Sequence, residues 1–168
     1  KDLAKTLKRI SSFGWKEFYT GKTATMIDAC MRRTGGLITL DDLERYKPIE
    51  RDPIQFKYRG YTVYSMPPAS SGGVAIAGIL NQLENFDIDS LKYHSAQHIH
   101  YVVEAERRVY ADRAKFMGDT DFISVPIDTL ISDDYAKLRW SSVDSLLASK
   151  SSTVTHGDIS SMYNESEE

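Results

Sequence analysis

Tyr58-Arg59-Gly60-Tyr61-Thr62-Val63-Tyr64-Ser65-Met66-Pro67-Pro68-Ala69-Ser70-Ser71-Gly72-Gly73-Val74 decides how this chain is read. Ile54, Phe56 and Tyr58 alternate with polar residues, which is the pattern of a half-buried strand. Arg59-Gly60 is a tight turn in which Gly60 is free to take positive φ. Tyr61 to Met66, aromatic and β-branched, is the expected return strand. Pro67-Pro68 ends the pairing, because neither proline has an N–H to give to a ladder. Ser70 or Ser71 is then a candidate N-cap, and Gly72-Gly73 lets other backbone approach closely. The sequence on both sides is helix-rich, so the hairpin and its exit loop are the pivot of the chain.

Upstream, Leu3, Leu7 and Ile10 form one stripe of a helix that Gly14 can end. Trp15, Phe18 and Tyr19 make an aromatic cluster. Thr23 is a candidate N-cap for a helix with Met26, Ile27, Cys30 and Met31 on one face. Gly35-Gly36 stops that helix. Thr39-Leu40-Asp41-Asp42 reads as a loose capping box opening a short helix through Leu43 and Tyr46.

Downstream, Val74 to Leu83 is apolar on most faces and is expected to be buried on both sides. Ser95 opens the longest helix, to about Met117, with an expected inward face of Ile99, Val102, Val103, Val109, Tyr110 and Phe116. Glu104–Arg108 and Arg108–Asp112 are i, i+4 pairs. Ile131 to about Val143 reads as one further helix. From Ala148 the chain turns polar, with no apolar stripe, and is expected to be extended or mobile. Residues 1–148 are therefore taken as the structured part and 149–168 as a tail.

With 168 residues, 41% hydrophobic and 27% charged, the composition is that of an ordinary globular protein. A net charge of −3 gives no electrostatic case for nucleic acid or an anionic membrane. No apolar run approaches the roughly 20 residues of a membrane span. Cys30 is alone, so no disulfide framework exists within the chain. Lys1 opens directly into a helical pattern, and a fragment is the expectation.

Several residue groups invite chemistry. His94, His98 and His100 form H-x3-H-x-H, but a helix starting at Ser95 would turn His100 away from His98, so no zinc site is expected. Asp112, Asp119 and Asp121 lack the glycine and ligand spacing of an EF-hand. Ser70-Ser71-Gly72-Gly73 before a helix can be an anion cradle or a packing and capping loop. It lacks the lysine of a P-loop and the G-x-S-x-G of a nucleophile elbow. Thr155-His156 are adjacent, and adjacent residues seldom aim usefully at each other. The residues alone show no complete active site, and no cofactor is expected.

The order of the segments resembles the γ-glutamyltranspeptidase family. Leu3-Ala4-Lys5-Thr6-Leu7 with Ile10, Gly14, Phe18-Tyr19 and Gly21 is similar to that family's leucine-rich helix followed by G-x-x-x-FY-x-G. Gly35-Gly36-Leu37-Ile38-Thr39 with Asp42-Leu43 and Tyr46 resembles its GG-x-IT-x-x-DL-x-x-Y. Pro67 to Gly73 resembles its PPPSSGG, with Ala69 where the third proline would stand. Glu104-Ala105 through Tyr110-Ala111-Asp112-Arg113 and Gly118-Asp119 resembles its YADR helix and following GD. Pro126, Leu130, Ser132 and Tyr135-Ala136 continue the likeness, which runs from about Leu3 to the end.

The resemblance implies an α+β chain, helix-rich around a hairpin. It would be part of an αββα N-terminal-nucleophile hydrolase fold completed by other chains. It also implies a precursor that cuts itself once, here after Glu168, leaving the nucleophilic threonine at the start of a small subunit. This chain, the rear part of the large subunit, would then hold no catalytic residue and be inactive alone. Pro67, Pro68, Ser70, Ser71, Gly72 and Gly73 would form a cleft wall or support one. The implied partners are the small subunit, the remainder of the large subunit and a small γ-glutamyl substrate such as glutathione. The implied location is periplasmic or extracellular. The contrasting reading is a non-catalytic interaction module of an unprocessed family member.

Overall fold

The structure, a computed structural model, describes residues 1–160 and 162. It divides into two compact units, Lys1–Glu50 and Arg51–Glu168.

The first unit holds α1 (Asp2–Phe13), α2 (Lys16–Tyr19), α3 (Lys22–Thr34) and α4 (Leu40–Arg45). Gly14 ends α1 with φ 73°, and Gly35 ends α3 in the left-handed region. Thr39 and Asp42 form the full capping box: Thr39 Oγ1 accepts from Asp42 N, and Asp42 Oδ2 accepts from Thr39 N at 2.9 Å. Tyr19 stacks on Tyr46 at 5.5 Å. Thr23 is not the cap of α3. It lies inside the helix, behind Gly21, which has no side chain to cap with. Glu17 supplies the missing acceptor from outside, taking the N–H groups of Lys22 and Thr23 and the Thr23 hydroxyl. Arg9 closes the cluster on Glu17 at 2.7 Å. The buried side of α3 is Thr23, Ala24 and Asp28, while Met26 is exposed. The α1 stripe is largely open too, with Leu3 71% exposed.

The second unit begins with β1 (Ile54–Tyr58) and β2 (Tyr61–Ser65), antiparallel, with Phe56 opposite Val63. Next come α5 (Gly72–Glu84), α6 (Ala96–Phe116), α7 (Ile127–Leu130) and α8 (Asp133–Trp140). The return strand ends at Ser65, one residue before Met66. One core cluster joins Ile54 and Phe56 of the hairpin to Val74, Ala77, Leu130 and Tyr135. A second joins Leu83, Tyr101 and Ala105, with Phe86 and Trp140 against Tyr101. The helix expected over Ile131 to about Val143 is α8, which starts after Ser132 and stops at Trp140, and the short α7 precedes it. The Ser132 side chain accepts from Tyr135 N to cap α8, while its hydroxyl donates to the Thr129 carbonyl.

Two burial patterns differ from expectation. α5 is not buried all round: Ile76 is exposed, and its inner face includes the polar Asn81 and Gln82. α6 turns Tyr101, Glu104, Ala105, Arg108, Val109 and Asp112 inward, leaving Ile99 and Tyr110 exposed. Those inward positions follow i, i+3, i+4, i+7, i+8, i+11, the spacing of a helix core face, with charges at 104, 108 and 112. The segment after Ala148 is held as well. Its Ile159 packs on the first core cluster and Gly157 is buried. No helix among the described residues is long and apolar enough to cross a membrane.

Candidate functional site

The loop leaving the hairpin is fixed at both ends. Pro68 is buried and Pro67 half-buried. Ser70 Oγ accepts from Gly72 N at 3.3 Å, a local serine turn at the helix entry. Ser71 occupies the N-cap position of α5, but its side chain does not cap. Its Oγ accepts instead from Arg113 Nε of α6, at 2.7 Å, tying the loop to the longest helix. The two glycines differ. A Cβ on Gly73 would lie 2.2 Å from the Met66 carbonyl oxygen, which is backbone and cannot step aside. A Cβ on Gly72 would meet only Ser70 Oγ, at 3.5 Å. Close packing of helix on strand thus requires glycine at 73 alone.

Behind the loop lies a cavity of about 20 Å³ whose lining includes Ser71, Gly78, Gln82, Asp112 and Tyr135. That is room for about one water. Gln82 Oε1, buried at this cavity, has no hydrogen-bond partner among the described residues.

The deepest polar feature is a pair of carboxylates on the inner stripe of α6. Glu104 is fully buried. Its Oε1 accepts from Arg107 at 2.5 Å and from Ser149 N at 2.9 Å. Its Oε2 accepts from Arg108 at 2.7 Å and from the Ser149 hydroxyl at 2.6 Å. Burial pushes its pKa up, but the Ser149 and arginine donors outweigh burial and hold it at about 2. Asp112 has fewer donors. Oδ2 accepts from Arg139 Nε at 3.0 Å and Oδ1 from Gly157 N at 2.8 Å. Burial wins there, and its pKa is raised despite the Gly157 N–H and the Arg139 charge. Burial and the neighbouring Asp112 charge also raise the Tyr135 phenol.

The expected Arg108–Asp112 pair does not form. Arg108 gives its charge to Glu104 and its remaining donors to the Arg139 and Ser142 carbonyls at the end of α8, where a cation complements the helix dipole. Arg139 answers by donating to the Arg108 carbonyl and to Thr155 O, at 3.1 Å and 2.7 Å.

The other sequence candidates are dispersed. Asp119 and Asp121 face Arg51, with Asp121 at 2.6 Å, whereas Asp112 is turned to Arg139. His94 stacks on Tyr93, and His100 Nε2 lies 2.8 Å from the Asp144 carbonyl. No group of three possible metal ligands occurs among the described residues. The His156 ring packs edge-on to Phe116 at 5.3 Å, while the carbonyl of Thr155 is engaged by Arg139. Glu168 lies outside the described residues. Sequence reasoning missed Arg139, Ser149 and Gly157. Nothing local marks them, although Val154 and Ile159 do flag apolar contact in the polar segment.

A helix-rich α+β unit organised on one hairpin, with a serine-glycine loop packed on a buried helix, is part of the N-terminal-nucleophile hydrolase fold. The structure of a gamma-glutamyltranspeptidase from Helicobacter pylori superposes with a TM-score of 0.86 at 42% identity, covering 98% of this chain and 47% of that one. A gamma-glutamyltranspeptidase from Pseudomonas nitroreducens, complexed with L-DON, gives a TM-score of 0.82 at 39% identity over 92% of this chain and 47% of that one. A glutathione hydrolase proenzyme of Escherichia coli K12 is 46% identical over 158 residues, 94% of this chain and 27% of the relative. The gamma-glutamyltranspeptidase family model matches residues 1–168. This chain belongs to the gamma-glutamyltranspeptidase family. It spans about a quarter of the length of the curated relatives it matches.

Proposed function

We propose that this chain is the rear part of the large subunit of an enzyme that transfers or hydrolyses γ-glutamyl groups. The observation that carries the reading is the family match across residues 1–168, with the Helicobacter pylori enzyme's fold reproduced over 98% of the chain. In this reading a threonine at the start of the small subunit attacks the γ-carbonyl of a donor such as glutathione. The resulting γ-glutamyl-enzyme is resolved by water or an acceptor amine, dividing one hard acyl transfer into two easier steps. Donors aimed at the developing oxyanion supply much of the rate. The chain's own contribution is positioning. Pro67 to Gly73 is a stiff wall anchored by Arg113, and the buried carboxylates hold the segment that runs toward a processing site after Glu168.

The proenzyme names of the curated relatives support the processing step. The test is to express the full-length protein, follow its conversion to two chains by intact mass, and assay a chromogenic γ-glutamyl anilide. Self-cleavage after Glu168 with turnover supports the reading. An intact, inactive protein whose Glu168 is not followed by a nucleophilic residue overturns it in favour of an interaction module. The isolated 168-residue chain is expected to show no turnover.

A further inference from the structure

Glu104 and Asp112 are buried charges in a helix face that apolar residues could fill. Replacing buried ion pairs with well-packed apolar groups is often neutral or stabilising. Their use here lies in what they grip. Each carboxylate has arginine for its charge, Arg107 and Arg108 for Glu104 and Arg139 for Asp112, and each also accepts a main-chain N–H of the C-terminal segment. Glu104 takes Ser149 N, and Asp112 takes Gly157 N. Arg139 adds the Thr155 carbonyl from the opposite side.

We infer that Asp112 and Arg139, with Glu104 as an upstream anchor, are positioning residues for self-cleavage: they clip Gly157 in one register and so set which bond beyond it meets the nucleophile. This rests on the two-subunit reading above. Eight residues separate Glu104 from Asp112, a rise of about 12 Å along a helix. Eight residues also separate Ser149 from Gly157, and fully extended they would reach about 26 Å. The segment therefore carries slack between its clips, part of it wound into the 3-10 turn Ser151–Thr153. Slack upstream means that the second clip, and not the first, fixes the register of the chain at Gly157 and Ile159.

That second clip admits one residue type. A Cβ at position 157 would lie 2.4 Å from Tyr135 Oη and 2.7 Å from Arg139 Cδ. His156 and Asp158 carry such a Cβ, so the chain cannot slip by one residue and keep the Asp112 bond. Ile159, packed on the hairpin cluster, holds the next step of the same register.

The experiment uses the full-length precursor with three changes. One glycine is inserted between Ser152 and Thr153, within the slack. In a second variant one glycine is inserted between Ser160 and Ser161, past the clip. The third is Gly157→Ala. Each precursor is melted, its cleavage followed over time and its products weighed. The insertion in the slack should cleave within about twofold of wild type at the same bond. The insertion past the clip should slow cleavage at least tenfold or move the cut by one residue, with an unchanged melting temperature. Gly157→Ala should slow cleavage at least tenfold. Equal rates for the two insertions, whether both fast or both slow, overturn the inference, as does normal cleavage of Gly157→Ala. A wild-type precursor that never cleaves overturns the two-subunit reading and this inference together, so the two failures are distinguishable.

Discussion

Replacing Glu104 by glutamine removes a charge while keeping the volume. Four donors converge on the carboxylate: Arg107, Arg108, and both the amide and hydroxyl of Ser149. Glutamine can offer an oxygen to one side only. Its NH2 then faces donors, and Arg108, 2% exposed, keeps a charge without its counterion. Two independent routes give the magnitude. Holding the group at about 2 instead of the ordinary 4.5, at about 1.36 kcal/mol per pH unit, corresponds to about 3 kcal/mol. Removing one member of a buried ion pair costs about 3–5 kcal/mol. With a urea slope of about 2 kcal/mol per molar, the unfolding midpoint of the second unit should fall by roughly 1.5 M. Ser149→Ala removes one donor and should cost only about 1 kcal/mol. The assay is urea unfolding of the full-length protein by circular dichroism, paired with hydrogen exchange of the peptide containing Ser149 and Gly157. Glu104→Gln should strip protection from the Ser149 amide. A loss below about 1 kcal/mol with that protection intact would refute the claim that this carboxylate anchors the segment.

The same geometry sets further outcomes. Gly73→Ala should destabilise by about 1–3 kcal/mol, because the Met66 carbonyl occupies the space, whereas Gly72→Ala should stay within about 0.5 kcal/mol; parallel thermal melts of the two variants check this. Ser71→Ala leaves Arg113 without its acceptor at an exposed site and should lower turnover of a γ-glutamyl anilide by less than about tenfold, the loss of roughly one hydrogen bond. In acid the two α6 carboxylates act in opposite senses. Glu104, depressed in the fold, contributes stability that is present above 4.5 and lost as pH falls toward about 2; Asp112, raised above 3.8, favours the fold more as pH falls through its folded value. Glu104→Gln should therefore reduce the acid-limb slope of stability between pH 4.5 and 2, and Asp112→Asn, which removes a charge that burial opposes, should cost less at pH 7 than Glu104→Gln; urea midpoints from pH 2 to pH 7 check both. Glu17→Gln should lower the melting temperature of the first unit and weaken hydrogen-exchange protection of the Lys22 and Thr23 amides, since the carboxylate caps α3 in place of Gly21.

The parts of this architecture legible in the sequence were those governed by near neighbours. Alternation over Ile54–Tyr58, the Arg59-Gly60 turn, the Pro67-Pro68 break and the Thr39–Asp42 box each depend on residues within about five positions, and each is present in the fold. What the sequence hid was long-range and polar. The inner stripe of α6 has sound helical spacing at 101, 104, 105, 108, 109 and 112, but a hydrophobicity rule discards Glu104, Arg108 and Asp112 and selects Ile99 and Tyr110 in their place. A buried charge is recognisable only once its partners are known, and beyond the local Glu104–Arg108 pair these come from Arg139, Ser149 and Gly157, at least 27 residues further on. The same cause explains the segment after Ala148. Its composition is that of a tail because much of its polar attachment is made by main-chain N–H and C=O groups, which every residue but proline carries in full and no sequence pattern reports. Where a chain must be gripped by its backbone in one register, the grip is written in the partner helix: two carboxylates eight positions apart on a face that otherwise reads as core.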